Sequence, residues 1–257
     1  MFWKLLKYEF KNVNRWYLAI YGAILVVSLG IGLFLRNMAE KIGLTGDIFD
    51  HSEAVQSAEF AFIILLFMIL VGLAVALSIS TLFLIIRRFK CSVYDRQGYL
   101  TLTLPVTQHQ IILSKLTAAI IWSFFSLLTL VISFSMITLL VATKTSNFDR
   151  GLLSPSSLEY GNILLYALYM LMTSISSTLL IYLSISIGQL FEDHRTALAF
   201  LSYFVISILI SIVSLRIEPS FSDFSLSILY SIIFNFALAL AYYAGTHYIL
   251  KNKVNLQ

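Results

Sequence analysis

The sequence predicts an all-α integral membrane protein: six transmembrane helices, an amphipathic N-terminal interfacial helix, and a polar segment of helical character between the second and third spans. Three observations carry this. Hydrophobic residues make up 59% of the 257 positions and charged residues only 12%, against about a quarter charged in soluble domains. Six runs are nearly free of charge, and each is long enough for a bilayer core of roughly 30 Å, which takes about 20 helical residues. Lysine and arginine fall unevenly between the connecting segments. Six crossings consume nearly the whole length, so 1–257 reads as one transmembrane domain.

Residues 1–15 place Phe2, Leu6, Phe10 and Val13 on one helical face and Lys4, Lys7, Lys11, Asn14 and Arg15 on the other, the pattern of a helix lying in the membrane interface. A secretory signal also begins with a basic region before an apolar run. Here the run is about 20 residues long, with no small-residue cleavage site after it, so it is expected to remain as the first span. The spans are expected at about 16–35, 60–86, 116–143, 160–191, 196–215 and 224–250. Trp16, Tyr17, Tyr160 and Tyr248 stand near span boundaries, as interfacial aromatics do. The run from Leu116 to Thr143 would extend roughly 42 Å as a helix, so it must tilt or project beyond the bilayer.

Six crossings put both termini on one side, and basic residues in short loops mark the cytoplasmic side. Twelve of the 17 basic residues, including Lys4, Lys7, Arg87, Arg88, Arg195 and Lys251, fall with the termini; Arg36, Lys41, Lys144, Arg150 and Arg216 fall opposite. Glu9, Asp95, Glu192 and Asp193 are the acidic residues on the terminal side, and the other nine lie opposite. The termini are therefore expected in the cytoplasm. Residues 36–59 form the longest outer segment, whose acidic charge either attracts cationic molecules or simply follows the topology.

Several chemistries are excluded. The pI near 9.1 reflects charges scattered over short loops, not a nucleic-acid footprint. Cys91 is the single cysteine, which rules out an internal disulfide and a cysteine zinc cluster. It stands beside basic residues where acylation is possible, although an incidental thiol is the simpler account. No GxxxxGK[ST] or HExxH motif occurs, and His51, His109, His194 and His247 are far apart in sequence, against ATP hydrolysis by a P-loop and against a metalloprotease site. The six runs carry essentially no ionisable group apart from His247 near one end, against the intramembrane charges of proton relays and ion-coupled transporters.

Hydroxyl groups are plentiful instead. Ser207, Ser211 and Ser214 recur at i, i+4 and i+7 in the fifth span, Thr173, Ser177, Ser184 and Gly188 share a stripe of the fourth, and Ser78 and Thr81 lie in the second. Ser78, Thr81, Ser207, Ser211 and Ser214 are candidates for lining a translocation path. The alternative is close packing of spans through small polar residues.

The segment 87–110 opens with Arg87-Arg88-Phe89-Lys90 and has helical character to Leu100, with Gly98 a plausible stop. Pro105 favours extended backbone at Leu104, and Thr107 is placed to cap the helix of the third span. Asp95-Arg96-Gln97-Gly98-Tyr99-Leu100, Leu102-Thr103-Leu104-Pro105-Val106-Thr107 and Ile112-Leu113-Ser114-Lys115-Leu116 together resemble the corresponding stretch of ABC transporter permeases of the type-2 exporter class. The likeness extends to the basic N-terminal helix and the six-span layout.

The resemblance implies a permease subunit whose loop 87–110 holds a cytoplasmic coupling helix docked on a separate ABC ATPase subunit, through Tyr94, Asp95, Arg96, Gln97, Tyr99 and Leu100. The short turn Glu192-Asp193-His194-Arg195 is the second candidate contact. It further implies pairing with a second permease copy or a related chain, no catalytic site or cofactor on this chain, and ATP with Mg on the partner. Many family members carry re-entrant helices between the fifth and sixth spans, for which the gap from Arg216 to Asp223 is short. The expected role is export of amphipathic or hydrophobic substrates across a bacterial plasma membrane, with peptides, as in toxin export or antimicrobial-peptide immunity, the favoured cargo. Drug or lipid efflux is the alternative within the class, and a non-transporting scaffold or sensor subunit the alternative outside it.

Overall fold

The computed structural model describes residues 3, 6, 7, 15–45, 53–94, 107–142, 160–191, 193–217 and 224–252. Among them every regular element is an α-helix: α1 (Arg15–Thr45), α2 (Glu53–Val93), α3 (Gln108–Ala142), α4 (Tyr160–Gly188), α5 (Arg195–Ile217) and α6 (Phe224–Asn252). Each contains a stretch long and apolar enough to cross a bilayer, and the chain is a multi-pass membrane protein.

The helices overrun several of the expected boundaries. The 41 residues of α2 rise about 62 Å, twice the hydrocarbon thickness, so part of the helix stands outside the apolar layer. Its last turns contain Arg87-Arg88-Phe89-Lys90; the basic opening of the polar segment is helix, because nothing between Arg87 and Val93 breaks one. At the other side of that segment α3 begins at Gln108, not Leu116. The Thr107 carbonyl accepts from the amides of Gln110 at 2.9 Å and Ile111 at 3.3 Å, placing Thr107 at the cap. Much of 36–59, read as an outer loop, is likewise helix, to Thr45 and from Glu53. In the segment expected to lie at the interface, Leu6 is buried while Trp3 and Lys7 are exposed; the rest of 1–14 lies outside the described residues, as do 95–106.

The chain forms two compact units. Unit 1 comprises Met1–Asn12, Phe83–Ile121 and Pro155–Gln257; unit 2 comprises Val13–Leu82 and Trp122–Ser154. The core of unit 1 joins Phe89 and Val93 of α2, Ile112 and Leu116 of α3, Leu179, Tyr182 and Ile185 of α4, and Ala239, Tyr242 and Leu250 of α6. On the rim, no described side chain of α5 is fully buried. Phe200, Leu201, Ile208 and Leu215 are among its most exposed, a composition suited to lipid.

Unit 2 is tied by hydroxyls. Ser126 Oγ of α3 lies 3.0 Å from Tyr21 Oη of α1 and 3.1 Å from Thr81 Oγ1 of α2, and the carbonyls of Leu77 and Trp122 are within reach of Thr81 and Ser126 at 2.8 and 3.0 Å. Three hydroxyl protons can thus serve both inter-helix contacts and one carbonyl. Gly32 adds a close approach: a Cβ there would meet Leu140 Cδ1 at 2.6 Å. Ser126→Ala is expected to cost unit 2 about 1 kcal/mol, the scale of an inter-helix hydrogen bond within a bilayer, read as earlier unfolding in a denaturing-detergent titration. An unchanged midpoint would show that the cluster does not contribute.

Candidate partner-docking site

One end of unit 1 gathers the end of α2 and the start of α3, which flank 95–106, together with the ends of α4 and α6 and the start of α5. Phe89 stacks on Tyr182 with centroids 4.0 Å apart and planes 9° from parallel; their exposures are 0% and 1%. Five residues further on, Tyr94 closes the last turn of α2 through its amide to the Lys90 carbonyl at 2.9 Å. Its hydroxyl donates to Ser186 Oγ at 2.8 Å, and Ser186 donates to the Tyr182 carbonyl at 2.8 Å. Burial pushes the Tyr94 phenol up to about 12, the Ser186 hydrogen bond opposing it weakly, so the phenol stays protonated and able to donate at any physiological pH.

The α4–α5 connection is compact. After Gly188, the amides of Gln189 and Leu190 bond the carbonyls of Ile185 and Ile187 at 3.1 and 3.0 Å. His194 takes a left-handed φ of 53° and its carbonyl accepts from the Leu198 amide at 3.0 Å, opening α5. Asp193, His194 and Arg195 are exposed, and Glu192 lies outside the described residues. Gly188 lets the helices meet: an added Cβ would sit 2.6 Å from both Ala199 Cβ and the Arg195 carbonyl.

Where α3 begins and α6 ends, His109 Nδ1 and Tyr243 Oη share a hydrogen bond of 2.6 Å, and His109 stacks on His247 at 4.0 Å. Their distance in sequence concealed this pairing. Among the described residues no group of three or more His, Cys, Asp or Glu side chains is placed to hold a metal. Arg87, Arg195 and Lys251 are exposed, while Lys115 is buried. In the described part of unit 1, Asp193 is the only acidic side chain. The described part of this end is therefore basic, as expected if these helix ends share one side of the membrane.

The predicted residues distribute as follows. Tyr94 turns its side chain into unit 1. Asp95, Arg96, Gln97, Tyr99 and Leu100 lie outside the described residues. Of the motif that opens the third span, Ile112, Ser114, Lys115 and Leu116 are buried and Leu113 is exposed, so most of its described part serves packing. Within unit 2, Ser78 donates to its own helix at the Ala74 carbonyl, 3.0 Å away, and Thr81 belongs to the Ser126 cluster. Within unit 1, Ser207 is half-buried, Ser211 is exposed, and Ser214 donates to the Ser211 carbonyl at 2.9 Å. The stripe of α4 divides: Ser177 is exposed, whereas the Ser184 carbonyl accepts from Ser202 of α5 at 3.2 Å and Gly188 makes the close approach. Sequence reading missed His109, Tyr243 and the buried position of Lys115; histidine and tyrosine near complementary helix ends were the available signal. Comparison with family models, curated proteins and solved structures finds no match.

Proposed function

We propose that the chain is the permease subunit of an ATP-driven ABC exporter of the type-2 class, set in a bacterial plasma membrane with both termini in the cytoplasm. The observation that carries this reading is the basic end of unit 1, where α2 and α3 flank a segment, 95–106, bearing the Asp95–Leu100 and Leu102–Val106 motifs. An exporter subunit with six membrane-crossing helices and no P-loop takes its energy from another subunit, and this end is the proposed docking place. Asp95, Arg96, Gln97, Tyr99 and Leu100 supply the contact, with ATP and Mg held by the partner. A second permease copy or a related chain completes the path. Many hydroxyls of the spans are bonded back to their own helix carbonyls, which leaves an apolar surface suited to amphipathic peptides.

Purification of the tagged chain from its native membrane in mild detergent tests the proposal. The expected result is an ATPase subunit recovered with it, and ATP hydrolysis that changes when both chains are present. Recovery without an ATPase overturns it. Deletion of the chain is expected to reduce survival or secretion selectively across a panel of antimicrobial peptides; an effect confined to drugs or lipids assigns the cargo to those instead.

A further inference from the structure

We infer that His109 and His247 make the packing of the start of α3 on the end of α6 sensitive to pH, the contact holding while the two rings carry no more than one positive charge between them.

His109 is the second residue of α3, and Tyr243, His247 and Lys251 recur at every fourth position along one face of α6. All belong to unit 1. The His109 and His247 rings lie 4.0 Å apart and 16° from parallel. Tyr243 Oη is 2.6 Å from His109 Nδ1, and the Tyr243 ring lies 5.9 Å from His109 and 6.5 Å from His247. Three titratable rings thus join two helices. His109 is exposed and His247 half-buried, so protons reach both.

The arrangement tolerates one charge. A tyrosine hydroxyl both donates and accepts, so the His109–Tyr243 bond persists whether the imidazole is neutral or charged. A second charge, on His247, sets two cations face to face at 4.0 Å, a repulsion worth about a factor of five in an equilibrium even at the dielectric of water. Neighbouring groups give no relief. Lys251 adds a third cation one turn beyond His247, and Lys115 lies six residues beyond His109 in α3. Among the described residues no group of α2, α4 or α5 bonds, pairs or stacks with either ring, and Asp193 is the only acidic side chain in the described part of unit 1. Rings parted by unfolding each take a proton at the ordinary value of about 6.5, whereas the stacked pair resists the second. Protons therefore favour the parted rings: the contact is fully stabilising above about pH 6.5 and weakens as pH falls below it.

Histidine NMR of the full chain in a nonionic detergent, with signals assigned from single variants, reads the coupling directly. In His109→Gln, which keeps a partner for Tyr243 and removes the charge, His247 is expected to take its proton about fivefold more readily than in the unaltered chain. His247→Phe keeps a stacking ring that cannot charge. From about pH 7.5 to about pH 5, the thermal midpoint of the unaltered chain is expected to fall further than that of His247→Phe. Equal proton affinity of His247 in the unaltered chain and His109→Gln overturns the inference, and so does a parallel fall of the midpoints. His109→Gln supplies the same comparison of midpoints should His247→Phe fail to fold. No ATPase or cargo enters the experiment, so its outcome is independent of the permease reading.

Discussion

Gly188→Val is expected to remove most of the folded protein from the membrane fraction. A single added carbon at this position would lie 2.6 Å from Ala199 Cβ, 2.6 Å from the Arg195 carbonyl oxygen and 2.7 Å from the Ala199 amide nitrogen. Two of these are backbone atoms of α5's first turns, and none is the far end of a flexible side chain. Relief therefore means moving α5 away, which also opens the Ser202 contact to the Ser184 carbonyl at 3.2 Å. Overpacking by extra methylenes costs about 1–3 kcal/mol in a well-packed core, and a β-branched side chain against fixed backbone stands at the high end. Gly188→Ala should fail in the same direction by less. Gly22→Ala is the control, since a Cβ there meets nothing within 4 Å. Detergent-solubilised yield and thermal unfolding read the difference; equal yields for the Gly188 and Gly22 variants would show that α4 and α5 do not meet this closely.

The second large effect is functional. Replacing Tyr99 and Leu100 together by aspartate is expected to leave insertion intact and to abolish both export and the permease-dependent change in ATP hydrolysis. The two residues follow Asp95-Arg96-Gln97-Gly98 in a polar segment, so added charge does not obstruct insertion of the apolar runs on either side. In a docked groove the same charges would have to be desolvated without partners, and truncation or charging of a central contact commonly costs several kcal/mol of binding. Cell-surface labelling checks insertion, and secretion with ATPase assays checks coupling. Unchanged export would transfer the docking role to the α4–α5 turn, where Asp193, His194 and Arg195 are exposed.

The six helices were legible because an apolar run of 20 residues or more has few ways to satisfy its backbone except as a helix. Their ends were less so. Lys115 was read as the limit of the third span since a cation seldom lies inside one, yet it sits buried in α3 beside Ile112 and Leu116. Arg87 and Lys90 were read as the helical opening of a separate polar segment, whereas they continue the helix of the second span itself, since charge by itself does not end a helix. The hydroxyl stripes were visible but their use was not: Thr81 reaches Ser126 across 45 residues, whereas Ser78, three positions earlier, bonds its own helix. Ser and Thr in a helix can always do the latter, which makes a stripe alone silent about partners. Tyr94 was named only as a docking candidate that the resemblance implies, and its inward turn toward Ser186, a residue 92 positions away, was not legible.

The division of the chain into units bears on its manufacture. Every residue of unit 2 lies within the first 154, so Tyr21, Thr81 and Ser126 can find one another while the ribosome is still making the second half. Unit 1 waits for Tyr182 and then for Tyr242 and Leu250. Until they arrive, the ends of α2 and α3 that carry Phe89, Ile112 and Leu116 have no α4 or α6 to pack against. Domains completed early in synthesis fold early, and the nascent protein therefore passes through a half-assembled stage in which the end proposed for docking is the last to mature.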